Sequence, residues 1–547
     1  MTIRWAYLKR VLAGAIFGLY VAHLLYFLNP QVEITPLRLA IVTIIYGAIC
    51  GLLFGTALWV LRVLRVKLFG KSEEIHGAYR AHGFGFVVLA AFIAAALYWM
   101  HLYVFRIGYL PIGAVRVLAK ATNLITGTAF ALLLLWVVER NADLRRSRAI
   151  FIAGVVLIAI SSFFLYQRRD SYRTEKQTVV VADVGTVAGQ RPVIVIAVRN
   201  VPYDWILTLA GEGSLPFFEQ ARSHGYFTRL EPFPATSPQP LWASIATGKL
   251  PFRHGVTGRF AYRTPLNGRD PADRFLILPS GVGFSFWGLI PPVQRIAPPL
   301  PSGDALPFWV LFERVGLQTA VIDWPSLAPP QHLPPLIAPA AVQRFNGAGG
   351  ARDRIVRGLV ADLAAGEAIR AAASNRNLTL VVGALNGFEE AQRAIHIFTN
   401  DLPPRSTMKG EVLRAYTQQL DSLLGSVAHA FPDHLLVVVA PSGPVAPELA
   451  ATPWAMFRDW ISNEDPGADD GFVLISGAGI AHPEKPTPAS PDDVVPTLLY
   501  SAGLPIGRDM DGRVLTDAFT DDLLRRNALS LVQTYEAKQL VVRRGGA

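Results

Sequence analysis

Two neighbouring hydroxyl side chains, Thr236 and Ser237, are the first candidates for chemistry in this sequence. They lie in a proline-rich stretch that favours a stiff, non-helical backbone, and the apolar residues 241–246 that follow favour a helix. Because the N-terminus of a helix favours anions, a hydroxyl just before it is well placed to be a nucleophile. The alternative is that Ser237 only caps the helix. A serine also needs a metal or a base to activate it, and no base is evident nearby in the sequence.

The first third of the chain contains five apolar runs, which predict a bundle of five transmembrane helices. Each run has roughly the 17 to 25 residues that a helix needs to cross the hydrocarbon core of a bilayer. The runs cover residues 11–28, 39–61, 84–105, 121–138 and 149–166. Buried helices of a soluble bundle are the alternative, but such helices have one polar face and these runs do not.

The distribution of charge predicts how the chain lies in the membrane. Lys and Arg are more frequent at the N-terminus and in the loops after the second and fourth runs than in the other loops. This bias predicts a multi-pass protein of the cell (inner) membrane, with a cytoplasmic N-terminus and a periplasmic or extracellular C-terminal domain. The net charge of +10 comes from this membrane half, which argues for contact with the lipid bilayer and against a nucleic-acid partner. The single cysteine, Cys50, excludes a disulfide framework and a cysteine metal site.

The C-terminal two thirds of the chain alternate short apolar runs with helical stretches. Runs at residues 193–198, 320–323, 378–382, 435–439 and 472–475 predict buried strands, and helices are predicted at 214–224, 353–373, 409–430 and 492–502. Continuous Val, Ile and Leu runs between amphipathic helices predict an α/β domain with a mostly parallel sheet that helices cover on both faces.

These patterns predict four segments. They are a transmembrane domain at 1–170, a linker at 171–191, an α/β domain at 192–527 with a cap-like insertion at 259–307, and a tail at 528–547. In parallel sheets, functional groups gather at the carboxyl ends of the strands. We therefore expect Arg199 and Asn200 to lie near Pro441 and Ser442, and the pair Thr236 and Ser237 to lie close to both.

From Pro192 to about Leu524 the sequence resembles the alkaline phosphatase superfamily, in particular its type I phosphodiesterase/nucleotide pyrophosphatase branch. Four separated segments carry the resemblance in the expected order. They are WASIATGKLPFRHG at 242–255, TAVIDWPSLAPP at 319–330, YTQQLDSLLG at 416–425 and DDVVPTLLYSAGLPIGRDMDGRVL at 492–515. The resemblance implies an extracytoplasmic domain whose relatives hydrolyse phosphoesters with two divalent cations, usually zinc.

The resemblance also implies where the ligands of those cations would lie. The family places an Asp after the first strand, a Thr or Ser nucleophile, an Asp-x-x-x-His pair, an Asp-His pair and a final His. The corresponding positions here hold Arg199, Ser237 with its neighbour Thr236, Gln392 with His396, and Pro441 with Ser442, while Asp469 and Asp470 stand near the last position. A guanidinium carries a permanent positive charge and no acceptor, so Arg199 cannot ligate a cation. We therefore expect no metal cofactor and a vestigial nucleophile position.

These observations favour a catalytically inactive member of the family that acts as a binding or assembly subunit of a membrane complex. Its partners would be other membrane subunits or a phosphorylated lipid or glycan. Arg199 is then either an anion-binding residue or one half of a salt bridge with a nearby carboxylate. The alternative is an active phosphoester hydrolase that uses Ser237 with zinc or manganese held by residues such as His396, Asp469 or Asp470. A third possibility is a purely structural membrane scaffold.

Overall fold

The structure is a computed structural model of the 547-residue chain. It describes residues 7–8, 11–12, 14–16, 18–19, 36–69, 84–85, 87–96, 98–99, 102, 112–139, 144–169, 178–184, 191–233, 238–256, 261–263, 294–296, 305–325, 350–397, 406–441 and 470–544. Contacts divide the chain into two compact units, one containing residues 1–174 and the other most of residues 175–547.

The first unit is helical. Its three longest helices are α1 (Pro36–Phe69), α2 (Ile112–Glu139) and α3 (Leu144–Arg169). Within α2 and α3, Val115–Glu139 and Ala149–Gln167 are long and apolar enough to cross a membrane. They match the fourth and fifth predicted runs. The second run lies within α1, and the first and third fall partly outside the described residues, so the five-helix bundle stays a prediction.

Helices α2 and α3 pack through a polar contact as well as through apolar side chains. The hydroxyls of Thr128 and Ser161 lie 2.7 Å apart in a buried hydrogen bond between the two helices. The face of Gly154 lies against the ring of Phe84 and the side chain of Leu132. Small residues and buried hydroxyl pairs are typical of helices that associate in a bilayer.

The second unit is built on a six-stranded sheet with strand order β3-β9-β8-β2-β7-β6. The strands are β2 (Val193–Val198), β3 (Tyr226–Leu230), β6 (Thr319–Val321), β7 (Leu380–Leu385), β8 (Leu435–Ala440) and β9 (Gly471–Ser476). Only β9 in this sheet runs against the others. The α/β class and the mostly parallel sheet are therefore confirmed.

Helices cover both faces of this sheet because its central strands are apolar on both sides. Along β2, Val193, Val195 and Ala197 pack into one buried cluster, and the alternate residues pack into a second. The first cluster includes α6 (Pro238–Thr247), α8 (Phe308–Arg314) and α12 (Val494–Ser501). The second includes α4 (Tyr203–Gly211), α5 (Pro216–His224), α9 (Ala351–Ala373), α10 (Gly387–Ala394) and α11 (Met408–Ala430).

Shorter elements complete the second unit. They are α7 (Pro251–His254), α13 (Asp521–Arg526), the antiparallel pair β4 (Ala261–Arg263) and β5 (Gln294–Ile296), and the parallel pair β10 (Ile506–Gly507) and β11 (Leu531–Val532). Most of the predicted cap-like insertion at 259–307 lies outside the described residues.

The segments predicted as linker and tail pair with each other. Strand β1 (Val179–Val184) lies in the former and β12 (Gln539–Arg544) in the latter, and they form a parallel pair in the register Val179↔Gln539. Both segments carry short apolar stretches, VVVADV and QLVV, and Ala182 is fully buried in the resulting pair. The linker at 171–191 and the tail at 528–547 therefore contain strands of the second unit.

Candidate functional site

The carboxyl ends of β2 and β7 bring the first candidate residue to the edge of the sheet. The two strands pair in parallel with Val198 opposite Leu385, and the backbone N–H of Arg199 donates to the carbonyl of Leu385 over 3.1 Å. This register places Arg199 beside Asn386. It is the position to which the resemblance assigns a metal-ligating aspartate.

Helix α10 starts immediately after Asn386, and a buried carboxylate fixes its N-terminus. The N–H groups of Asn386 and Gly387 donate to Oδ1 of Asp362 over 2.9 and 3.0 Å, and the Tyr416 hydroxyl donates to its Oδ2 over 2.9 Å. A Cβ on Gly387 would overlap the Tyr416 hydroxyl, so only glycine fits. Burial raises the pKa of Asp362 to about 6, although its three hydrogen bonds favour the ionised form. This arrangement sets the position of the first turn of α10.

The first turn of α10 delivers a carboxylate to Arg199. Nε of Arg199 lies 2.5 Å from Oε2 of Glu389, whose side chain is only 5% exposed. Arg393, one turn further along α10, contacts the other oxygen of Glu389 over 2.5 Å. Each oxygen of this buried carboxylate therefore faces a guanidinium. The salt bridge, one of the two alternatives for Arg199, is present in the structure.

A second polar contact joins the end of β2 to α10. The side-chain amide of Asn200 donates to Oε1 of Gln392 over 2.8 Å, and Gln392 is 1% exposed. Gln392 stands at another implied ligand position. His396, the remaining candidate on this segment, lies two residues beyond α10, is exposed, and has a left-handed φ of 56°.

The other predicted site residues are only partly within the described part of the chain. Pro441 follows β8 at the same edge and is buried, whereas Thr236, Ser237, Ser442 and Asp469 lie outside the described residues. Their expected convergence on Arg199 stays a prediction.

Asp470 lies at the edge of the sheet but belongs to a separate ion-pair group. Its carboxylate accepts a hydrogen bond from Arg229 over 2.9 Å, and Arg229 also contacts Asp204 over 2.9 Å. The guanidinium of Arg229 stacks over the ring of Tyr203, 4.9 Å from its centroid. These contacts account for Asp470 as a surface ion-pair residue.

The described side chains do not fit the cations that the resemblance implies. Across residues 191–441 and 470–544, as far as they are described, no three His, Cys, Asp or Glu side chains are grouped to hold a metal ion. Arg199 offers no lone pair, and Oε1 of Gln392 already accepts from Asn200. At this edge of the sheet, the described guanidinium and carboxylate groups pair with each other instead.

The elbow between α6 and α7, which follows the predicted nucleophile, is held by a second set of ion pairs. Nζ of Lys249 lies 2.7 Å from Asp509 and 2.9 Å from Glu536, and the Lys249 side chain is 1% exposed. Arg253 donates to Asp511 over 2.9 Å, and Asp511 also accepts from the N–H of Leu250.

Sequence reasoning missed the three carboxylates that hold this elbow. Asp509 and Asp511 lie within a segment that carried the resemblance, but more than 250 residues separate them from Lys249 and Arg253. No local spacing rule connects partners at that distance. For Asp509 and Asp511, the signal in the sequence was their place in a segment that carries the resemblance, and Glu536 had no such signal.

A buried serine and histidine also pair within this elbow. The hydroxyl of Ser244 lies 3.0 Å from Nε2 of His254, and Nδ1 of His254 accepts from the N–H of Val256. Ser244 has no exposed surface and His254 is 5% exposed, so this pair cannot reach a substrate. It stabilises the turn after α7.

Comparison with known proteins relates part of this domain to one family. Residues 193–443 match the model of the family described as type I phosphodiesterase / nucleotide pyrophosphatase. We call the domain that begins at Val193, which contains this match, the phosphodiesterase-family domain. The matched region contains Arg199 and the elbow between α6 and α7.

Several solved structures are similar to the phosphodiesterase-family domain at low identity. A putative sulfatase from Bacteroides thetaiotaomicron is 14% identical with a TM-score of 0.38, covering 60% of this chain and 74% of its own. Murine ectonucleotide pyrophosphatase / phosphodiesterase 5 is 12% identical with a TM-score of 0.36, covering 57% and 95%. An alkaline phosphatase superfamily protein from Vibrio parahaemolyticus is 12% identical with a TM-score of 0.32, covering 62% and 74%. No curated protein matches the chain.

Proposed function

We propose that the phosphodiesterase-family domain of this protein is a non-catalytic binding module that is anchored in a membrane and recognises an oxyanion group. The observation that carries the proposal is the Arg199 guanidinium, which stands where the family's chemistry needs a carboxylate and which forms an ion pair with Glu389. A cation held at this position would meet a permanent positive charge.

The geometry of the Arg199 side chain favours an anionic ligand. Its buried Nε contacts Glu389 as an ion pair and has no hydrogen-bond partner among the described residues. The side chain is 19% exposed, so it is accessible from solvent. Arg199 shares the carboxylate of Glu389 with Arg393, and Arg393 also lies 3.6 Å from Glu390. A guanidinium fork matches phosphate geometry with two parallel hydrogen bonds.

The membrane half of the chain supports an extracytoplasmic location for this module. Two described helices are apolar and long enough to cross a bilayer, and the Lys and Arg bias favours a cytoplasmic N-terminus. A domain in the periplasm or outside the cell would meet phosphorylated lipids and glycans and the outer parts of other membrane subunits. A phosphorylated lipid or glycan within a membrane complex is the ligand class we propose.

An active phosphoester hydrolase is the second candidate, and the family match over residues 193–443 favours it. Ser237 supplies a hydroxyl at the implied nucleophile position. This candidate requires a metal or base to activate that hydroxyl, and the carboxylates of Glu389 and Asp470 at this edge are each paired with a guanidinium.

Binding of phosphate groups by the full chain in detergent tests the first candidate. We expect inorganic phosphate and phosphatidic acid to raise the unfolding temperature of the wild-type protein, and Arg199→Met to abolish the rise. Arg199→Lys keeps the charge but loses the fork, so it should bind more weakly. Arg229→Met is the matched control at the other side of the same edge and should respond as the wild type does. Equal responses of wild type and Arg199→Met, or no response to either probe, would contradict the proposal.

A further inference from the structure

The two residues after β2 are tied by their side chains to one face of α10. Arg199 contacts Glu389, and Asn200 donates to Gln392. Glu389 and Gln392 are three residues apart, so they lie on the same side of the helix. Asn200 has a left-handed φ of 60°, which interrupts the alternation of an extended strand and lets consecutive side chains reach the same helix.

Both contacts involve positions that the family resemblance assigns to the ligands of a cation pair. The resemblance implies an aspartate at each of positions 199 and 392. Cations bound by both aspartates would connect the end of β2 to the segment after β7. Here residues 199 and 392 each contact the opposite element directly. The connection between β2 and α10 is therefore made by side chains of the chain itself.

The charge of Glu389 requires a positive partner at this place. Its side chain is 5% exposed, and a carboxylate so deeply buried is unfavourable unless cations compensate for the lost water. Arg393 supplies one cation from the same helix, whereas Arg199 supplies the other from the strand. Among the described residues, Arg199 is the one that links the two elements through charge.

We infer that the Arg199 guanidinium is a built-in replacement for a bound cation: it neutralises Glu389 and fastens the end of β2 to α10. Two features beside it would become ligands if the guanidinium were removed. Glu389 presents a carboxylate, and Oδ1 of Asn386, which directly follows the last paired residue of β7, is buried and has no hydrogen-bond partner among the described residues. Oxygen donors of this kind suit hard divalent cations such as manganese.

The test is the response of the Arg199→Asp variant to manganese. In detergent, the full-length variant should unfold at a lower temperature than the wild type, because two carboxylates now face each other. Addition of 1 mM MnCl₂ (roughly 100 times a ~10 μM dissociation constant) should raise its unfolding temperature by about 5 °C or more. Wild type and Arg199→Met, which lack the added ligand, should not respond.

A charge-swapped double variant gives a readout without metal. Arg199→Glu combined with Glu389→Arg should regain most of the unfolding temperature that Arg199→Glu alone loses.

If Arg199→Asp does not fold by itself, its refolding yield with and without MnCl₂ replaces the melting curve, and metal-dependent refolding is the expected result. A variant that shows no manganese effect in either experiment, or a wild type that shows the same effect, would overturn the inference. Neither readout uses an oxyanion, so its outcome is separate from that of the phosphate experiment.

Discussion

Arg199 at the edge of the sheet and the elbow after α6 both lie in the region that matches the family model, yet their residues relate differently to the family's motifs. At the elbow, Lys249 and Arg253 lie in a motif that carries the resemblance. Their partners Asp509 and Asp511 lie in another such motif, and Glu536 lies outside it. At the edge, Arg199 replaces an expected carboxylate and pairs with Glu389. The elbow therefore agrees with the family resemblance, whereas Arg199 at the edge departs from what the resemblance implies. A fold therefore identifies the family without identifying the activity.

The largest effect is expected at the elbow, from Lys249→Met. Lys249 is 1% exposed and faces two carboxylates, so its removal leaves Asp509 and Glu536 buried without their cation. We expect the free energy of unfolding to fall by about 3–5 kcal/mol. Denaturant titration of the full chain in detergent, followed by tryptophan fluorescence, measures this loss. A loss below about 1 kcal/mol would show that the elbow does not depend on this cation.

A smaller effect is expected at the edge, from Arg199→Met. Glu389 keeps its contact with Arg393, so the variant weakens the compensation of the buried carboxylate without removing it. We expect a loss of about 1–3 kcal/mol in the same titration. If Arg199→Met were as damaging as Lys249→Met, the contrast between a fixed elbow and an altered edge would fail.

The buried carboxyl group of Asp492, close to the elbow, should make the stability of the protein depend on pH. This residue lies in the turn Pro491–Asp493 beside α6, and burial raises its pKa to about 6, against the effect of its hydrogen bond from Ser490. The folded protein therefore keeps a proton between about pH 4 and pH 6 that the unfolded chain has lost. Its contribution to stability is fully present below about pH 4 and is lost as the pH rises through 6.

Asp492→Asn should remove this dependence, because the amide stays neutral. Between pH 4 and pH 7 the wild type should lose up to about 3 kcal/mol of unfolding free energy relative to the variant. Denaturant titrations of both proteins at several pH values provide the comparison. Parallel curves for wild type and variant would mean that Asp492 titrates normally in the folded protein.

The smallest effect is expected at the outer part of the edge, from Asp470→Asn. The side chains of Arg229 and Asp470 are 43% and 28% exposed, so solvent screens their ion pair. We expect a change of about 0.5 kcal/mol or less and no change in bound metal. Loss of a bound divalent cation in this variant would instead identify Asp470 as a ligand and favour the hydrolase.

The comparison also indicates what the sequence could predict. The parallel strands and long helices follow from continuous apolar runs, so β2, β8 and α11 match their predicted bounds within a residue or two. Strand β3 was not predicted, because its five residues include the polar Arg229 and form too short an apolar run to indicate a strand. The pairing of β1 with β12 joins segments about 360 residues apart, which no local periodicity reveals.

The site was predictable only in part, because some of its contacts join residues that are far apart in the sequence. Arg199 followed from the family resemblance and from its place after the first strand. Its partner Glu389 depends on the register of β2 against β7 and on the start of α10 at Gly387, which Asp362 and Tyr416 fix by burial. Such long-range geometry is decided by packing and leaves little trace in local sequence.

The measurement that tests the central claim most directly is the metal content of the purified full-length protein, taken together with its hydrolysis of a nitrophenyl phosphodiester. We predict no stoichiometric zinc or manganese, and no turnover above that of Ser237→Ala with either metal added. One or two bound ions per chain, with turnover that Ser237→Ala abolishes, would contradict the account and establish the domain as an active phosphodiesterase.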